Sequence, residues 1–246
     1  MRTAQLLSGV GVIASNDRFG YSSARGGDAS LLLRPAINAD IGDTKSKGWE
    51  VLGTNGTSAL ATFSPGGGIV MTTAGASADQ MILAPHLDAG VSPLTGITWG
   101  TDDTLGYYTR FKTGASVADV TLWGGFKLTN TSVIATDANA VYFRYEAALG
   151  TKLYGVTSIA GTDVSKKMGD INIAANTTYE VAITLDTDRR PFFRYREQGN
   201  GWKTGAVGAA LTTGIDLIPY FGIQADAAAA KAVTVREISL GKAEND

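Results

Sequence analysis

Hydrophobic and polar positions alternate most clearly between Thr178 and Tyr195, in the run TYEVAITLDTDRRPFFRY. Tyr179, Val181, Ile183 and Leu185 share one phase, while Glu180, Ala182, Thr184 and Asp186 share the other. A period of two predicts a β-strand with one buried and one wet face. Asp186-Thr187-Asp188-Arg189 supplies turn chemistry, and Phe193 and Tyr195 resume the alternation, so a hairpin is expected. The same pattern recurs along the chain. It predicts strands at 49–52, 59–63, 69–73, 79–83, 94–99, 105–112, 120–128, 141–145, 153–159, 215–225 and 232–240. Turn signals separate them, including Pro65-Gly66-Gly67-Gly68, Gly100-Thr101-Asp102-Asp103 and Gly161-Thr162-Asp163. In 120–128 the inward phase is Val120, Leu122, Phe126 and Leu128, which places Trp123 on the opposite face. In the last strand Val233 and Val235 are out of phase with Ile238 and Leu240, so a β-bulge is expected at Arg236-Glu237. Many short strands with frequent turns predict an all-β fold, a two-sheet antiparallel sandwich or jelly roll.

Residues 1–48 follow another pattern. Short apolar clusters (Leu6-Leu7, Val10 to Ile13, Leu31 to Leu33) lie among glycines without sustained alternation. Such a segment cannot form a second core. It is expected to be an extended N-terminal arm (1–48) lying on another chain or on the body, with the sandwich occupying 49–246. Met1-Arg2 followed by Ala4 to Ala14 faintly resembles a signal peptide, but Ser8, Gly9 and Gly11 interrupt it, and it is read as mature chain.

Composition narrows the function. The chain has 246 residues, 44% apolar and 18% charged, with 31 Gly, 6 Pro and no Cys. Disulfides and thiolate metal sites are therefore excluded. The net charge of −2 gives no reason to expect nucleic-acid binding. Six Lys/Arg against four Asp give residues 1–48 a charge of +2, leaving −4 for the remainder. No run approaches the ~20 apolar residues of a membrane helix.

Candidate chemistry is sparse. His86 is the single histidine, which precludes a multi-histidine metal site and favours a structural role at a strand end. Asp102-Asp103 and Asp186/Asp188 are paired acids, but both pairs fall in turns, and solvated turn charges outweigh a Ca²⁺ site or a glycosidase pair. Gly66-Gly67-Gly68 lacks the Lys-Ser/Thr of a phosphate loop and is read as a turn. Arg189, Arg190, Arg194 and Arg196 share one hairpin with Phe192 and Tyr195, a mixture that favours protein contacts over nucleic acid at this net charge. Trp123, Arg194, Arg196, Trp202 and Tyr220 are the candidate interface or sugar contacts. No catalytic residue, metal ligand or cofactor is expected.

Six stretches carry a resemblance: DQMILAPHLD (79–88), TGITWGTDD (95–103), WGGFKLTNTSVIATDANAVYFRY (123–145), SIAGTD (158–163), TYEVAITLDTDRR (178–190) and DLIPYFGIQADAAAAKAVTVREISL (216–240). In their order along the chain they resemble virion structural proteins of tailed phages, especially cyanophages. The resemblance implies a concanavalin A-like jelly roll used as a structural part on the particle surface. Glucanases of that fold carry a Glu-x-Asp-x-Glu strand, which this sequence lacks, so no enzyme activity is expected. The leading expectation is a capsid decoration (cement) protein on the outer shell, anchored by its N-terminal arm. Its partners would be the major capsid protein or other virion proteins and further copies of itself, with neither nucleic acid nor membrane bound. The alternative is a head or tail fibre or receptor-binding component with a carbohydrate-binding, lectin-like fold that meets a host surface glycan. A glycoside hydrolase ranks third.

Overall fold

A computed structural model of the chain describes residues 19–24, 28–33, 49–85, 98–128 and 137–243. His86 lies outside these residues, as do 1–18, 34–48 and most of the stretch predicted as a strand at 94–99. The described residues form β1 (Phe19–Ala24), β2 (Asp28–Leu33), β3 (Trp49–Leu52), β4 (Ala61–Phe63), β5 (Ile69–Thr72), β6 (Gln80–Pro85), β7 (Trp99–Gly100), β8 (Thr104–Thr113) and β9 (Val120–Lys127). They continue with β10 (Asn139–Glu146), β11 (Leu153–Ile159), β12 (Thr162–Lys167), β13 (Thr178–Leu185), β14 (Pro191–Glu197), β15 (Lys203–Val207), β16 (Asp216–Ala225) and β17 (Ala232–Ala243). No helix among them is long and apolar enough to cross a membrane.

The strands form two antiparallel sheets. One has nine strands, ordered β1-β2-β17-β8-β13-β14-β15, with β5 on β17 and β4 on β5. The other has eight, ordered β12-β11-β10-β9-β16-β6-β3, with β7 on β16. Their inner faces hold the core that the alternation predicts. Tyr107 and Phe111 of β8, with Val181 and Ile183 of β13, meet Phe126 of β9, Val141 and Phe143 of β10, and Phe221 of β16. Phe111 stacks on Phe143 with ring centroids 5.6 Å apart, and lies 5.4 Å from Phe221. Each such ring removed from water contributes about 1.5–3 kcal/mol. The Tyr107 hydroxyl crosses the core and donates to the Tyr220 carbonyl at 2.9 Å. Gly124 leaves room for it: a Cβ there would stand 2.7 Å from that oxygen.

The bulge expected near Arg236-Glu237 is present, because the β17–β8 register slips between Val235 and Glu237. The slip lets Val233, Val235, Ile238 and Leu240 all reach the core. Two strands lie within the stretch read as an arm: β1 pairs with β2, and β2 pairs with β17, Leu33 opposite Ile238 and Leu31 opposite Leu240.

Some local expectations are corrected. Residues 58–60 form a 3₁₀ turn, and the strand starts at Ala61. Thr162 and Asp163 open β12, which the sequence pattern hides because all six of its residues are exposed. The second face of β13 is not wet: Glu180 and Ala182 are each 4% exposed. Tyr108 and Arg196 bond to Glu180 there, and the exposed Trp202 packs on these two side chains.

Candidate functional site

The outer face of the eight-stranded sheet carries a groove of about 190 Å³. It is built from outward-pointing residues of neighbouring strands. Gln80 of β6 stands opposite Gln224 of β16, which stands opposite Thr121 of β9, itself opposite Glu146 of β10. The adjacent row runs Gly222, Trp123, Arg144 and Tyr154. Tyr142 and Asp163 complete the lining from β10 and β12, and Asp226 closes it just beyond β16. Gly222 makes the floor possible. The indole of Trp123 lies over it, and a Cβ at 222 would come within 2.5 Å of Trp123 Nε1.

The polar groups are held by one another. Gln80 Nε2 donates to Gln224 Oε1 at 2.6 Å, and Gln224 Nε2 donates to Asp226 Oδ1 at 2.8 Å. Thr121 Oγ1 donates to the other Asp226 oxygen at 2.9 Å. On the far side, the Tyr142 hydroxyl donates to Asp163 Oδ2 at 3.0 Å. Burial and then the Asp163 charge hold that phenol well above its usual range, so it keeps its proton and remains a donor. Arg144 donates to Ser165 Oγ at 3.2 Å and lies 3.5 Å from Glu146. The lining thus sets three carboxylates (Glu146, Asp163, Asp226) against one guanidinium, a net −2. Each carboxylate meets a protein donor or cation, which suits orientation of a polar ligand better than attack on one.

A buried ion pair lies farther along the same face. Lys127 Nζ lies 3.7 Å from Asp137, with side-chain exposures of 1% and 2%, and 5.7 Å from the centre of the Tyr220 ring. Burial lowers the Lys127 pKa, while Asp137 works in the other direction.

The five residues singled out in the sequence divide between the two sheets. Trp123 and Tyr220 belong to a second apolar cluster on the outer face of the eight-stranded sheet, with Ile82, Ala84, Ala140, Tyr142 and Val156. Trp123 lines the groove, whereas Tyr220 is fully buried. Arg194, Arg196 and Trp202 lie on the outer side of the nine-stranded sheet. There Arg196 donates from Nε and Nη2 to Glu180 Oε2 at 2.9 and 2.6 Å, and its guanidinium stacks 4.7 Å from the Trp202 ring. Most of the groove was not singled out. Its signal was available in the outward phase Tyr142, Arg144, Glu146, which alternates with the core residues Val141, Phe143 and Tyr145.

The turn acids serve the turns. Asp186 Oδ1 accepts from the Asp188 and Arg190 amides at 3.0 and 2.8 Å. Asp102 accepts from Thr213 Oγ1 at 2.7 Å and from the Gly214 amide at 2.8 Å. Among the described residues no three His, Cys, Asp or Glu side chains are placed to hold a metal ion.

No family model matches the sequence, and no curated protein matches it. Solved structures do match. A protein of unknown function from Shewanella oneidensis aligns over 98% of this chain and 94% of its own, at 11% identity and a TM-score of 0.61. Arcelin-5, a lectin-like defence protein of Phaseolus vulgaris, aligns over 89% and 100%, at 10% identity and 0.58. The β-glucanase of Bacillus licheniformis aligns over 90% and 100%, at 11% identity and 0.54. The chain is a concanavalin A-like jelly roll. A lectin-like protein and a glucanase thus share its architecture.

Proposed function

We propose that this jelly roll binds a glycan in the groove across the eight-stranded sheet and does not cleave it. The observation that carries this reading is the polar array around Trp123. Amide, carboxylate, hydroxyl and guanidinium groups from β6, β9, β10, β12 and the β16 end converge on a groove about 190 Å³ in volume, held by bonds of 2.6–3.2 Å. Fixed planar polar groups are what orients the hydroxyls of a sugar, and fixing them beforehand removes an entropic cost of binding. Cleavage would need two carboxyl groups free to act as acid and base across the bond. Here Asp226 holds two protein donors and Asp163 one, while Glu146 faces Arg144.

The setting we propose comes from the phage resemblance: a virion surface, where the chain acts as a head or tail fibre or receptor-binding component meeting a host glycan, as a homo-oligomer. A capsid decoration role is the second reading. It is favoured by the Arg194, Arg196 and Trp202 face, whose Trp and Arg composition suits contact with a capsid neighbour. Copy number per particle separates the two, with hundreds for decoration and a dozen or fewer for a fibre.

A glycan array followed by calorimetry tests the groove. The folded chain should bind at least one oligosaccharide class, and Gln224→Ala and Glu146→Ala, each shown to be folded by circular dichroism, should each weaken that binding tenfold or more. Reducing ends released from the bound sugar would overturn the non-enzymatic part. Binding unaffected by both variants would move the site elsewhere.

A further inference from the structure

We infer that the groove selects a sugar carrying a protonated amine, an inference that rests on the glycan reading above. The reason lies in which hydrogen-bonding capacity is already used. Thr121 Oγ1 and the Tyr142 hydroxyl each spend their one donor on a protein acceptor, Gln80 Nε2 and Gln224 Nε2 each donate once and carry one further N–H, and Arg144 faces Ser165 and Glu146. Acceptors remain. A carboxylate offers about four lone-pair sites. The bonds above take two from Asp226 and one from Asp163. Asp163 is exposed, and Asp226 and Glu146 are half-buried, so a ligand can reach them.

A second observation is independent of the acids. Gln80 lines the groove at 8% exposure, and its Oε1 has no partner. Two buried donors, Trp123 Nε1 and Arg144 Nε, are also unmatched. They lie at the floor and beside Glu146, and do not offset the net −2 of the lining. The carboxylate lone pairs still outnumber the open donors, so a ligand that enters meets mainly acceptors, and a positive charge on it lowers its energy there. A uronate or sulfated sugar brings acceptors and like charge, and is repelled. A metal ion is a poorer occupant, because no three ligating side chains gather among the described residues.

The test is calorimetry on the full chain at about pH 6 with four probes: glucosamine hexamer, its N-acetylated hexamer, a galacturonate hexamer, and spermidine, an amine without ring hydroxyls. The glucosamine hexamer should bind at least tenfold tighter than the acetylated one, and the galacturonate should not bind. Spermidine should be at least tenfold weaker, and raised salt should weaken the glucosamine hexamer most. Asp163→Asn and, separately, Glu146→Gln should each weaken the glucosamine hexamer severalfold more than they weaken the acetylated hexamer. Either variant that keeps the wild-type melting temperature suffices. If the acetylated or anionic hexamer binds as well as the glucosamine hexamer, the amine selection is wrong and the glycan reading stands. Spermidine binding as tightly would show that the site reads charge and not sugar. If neither these probes nor a broad glycan array binds, the glycan reading itself fails.

Discussion

The two outer faces of the sandwich are built from similar residues in opposite ways. On the eight-stranded sheet the aromatics lie low: Trp123, Tyr142 and Tyr220 are 5%, 4% and 0% exposed, with acids above them. On the nine-stranded sheet the apolar groups stand out, with Trp202, Phe192 and Val207 at 41%, 38% and 39% exposure. Charge follows the same division. The register aims Arg110, Lys112, Arg194 and Arg196 outward on the second face against Glu180 and Glu237, a net +2, whereas the groove carries −2. Even the hydrogen-bonded acids differ in use. Asp226 in the groove holds neutral amide and hydroxyl donors, while Glu180 on the other face clamps Arg196 and the Tyr108 hydroxyl, which fixes the cation against Trp202. A recessed polar array suits a small polar ligand, and a raised Arg and Trp surface suits a flat macromolecular partner.

The largest effect on this contrast should come from Gly222→Val. The added carbons meet the Trp123 indole and raise the groove floor. Overpacking of this kind costs about 1–3 kcal/mol. Thermal unfolding should show the loss, and glycan binding should disappear, while contacts made by the other face persist. A Gly222→Val chain that still binds sugar would show that Trp123 is not the floor of the site.

Next in size is Glu180→Ala, which strips Arg196 and Tyr108 of their shared acceptor. Bonds to charged groups contribute about 1.5–3 kcal/mol, and the Arg196 side chain is 32% exposed, so a loss of about 1–2 kcal/mol is expected in denaturant unfolding. Groove binding should be unchanged. A matching loss of sugar affinity would mean that the two faces are coupled through the core.

Acid should weaken the fold through carboxylates near both ends of the groove sheet. Asp79 accepts from Asn55 Nδ2 and the Ala76 amide at 2.6 Å each, and Asp102 accepts from Thr213 and the Gly214 amide; these bonds hold both pKa values below the usual carboxylate range. The folded pKa lies below the unfolded one. The stabilisation is therefore complete above the unfolded value, about 3.9, and fades as pH falls through that value towards the folded pKa. Melting temperature should hold from neutral pH to about 5 and then drop. Asp79→Asn should make the drop shallower, and an unchanged slope would remove Asp79 from the account.

The smallest effect should be that of Trp202→Ala on stability, within about 0.5 kcal/mol for an exposed position. Its effect on self-association or capsid binding should be the greater one, read by sedimentation and by binding to shells. A large loss of stability instead would make Trp202 a lid over Glu180 and not a contact residue.

What could be read from the sequence follows from how many faces each strand buries. β14 alternates buried and open positions along Pro191–Glu197, so Phe193 and Tyr195 were assigned inward from the pattern alone. β9 is buried at every position, and a period of two cannot distinguish core from a covered outer face; the pattern put Trp123 on the outer face without showing that this face is covered. β12 has no buried position and left no pattern to read. The groove was harder still. Its residues run from Gln80 to Asp226 and become neighbours through the order β12-β11-β10-β9-β16-β6, in which β16 inserts between two much earlier strands. That order is set by the tertiary structure and has no local signature.

The strand that ends the described chain, β17, also fixes when the chain can fold. It lies between β8 on one side and β2 and β5 on the other, so the sheet closes only by joining the last strand to one of the first. During synthesis β8 must wait more than a hundred residues for that neighbour, and β2 more than two hundred. Pairings so distant in sequence place folding in the slow regime of about milliseconds to seconds. A nascent chain interrupted before Ala232 would expose the edges of both β2 and β8, and is the species most prone to aggregate.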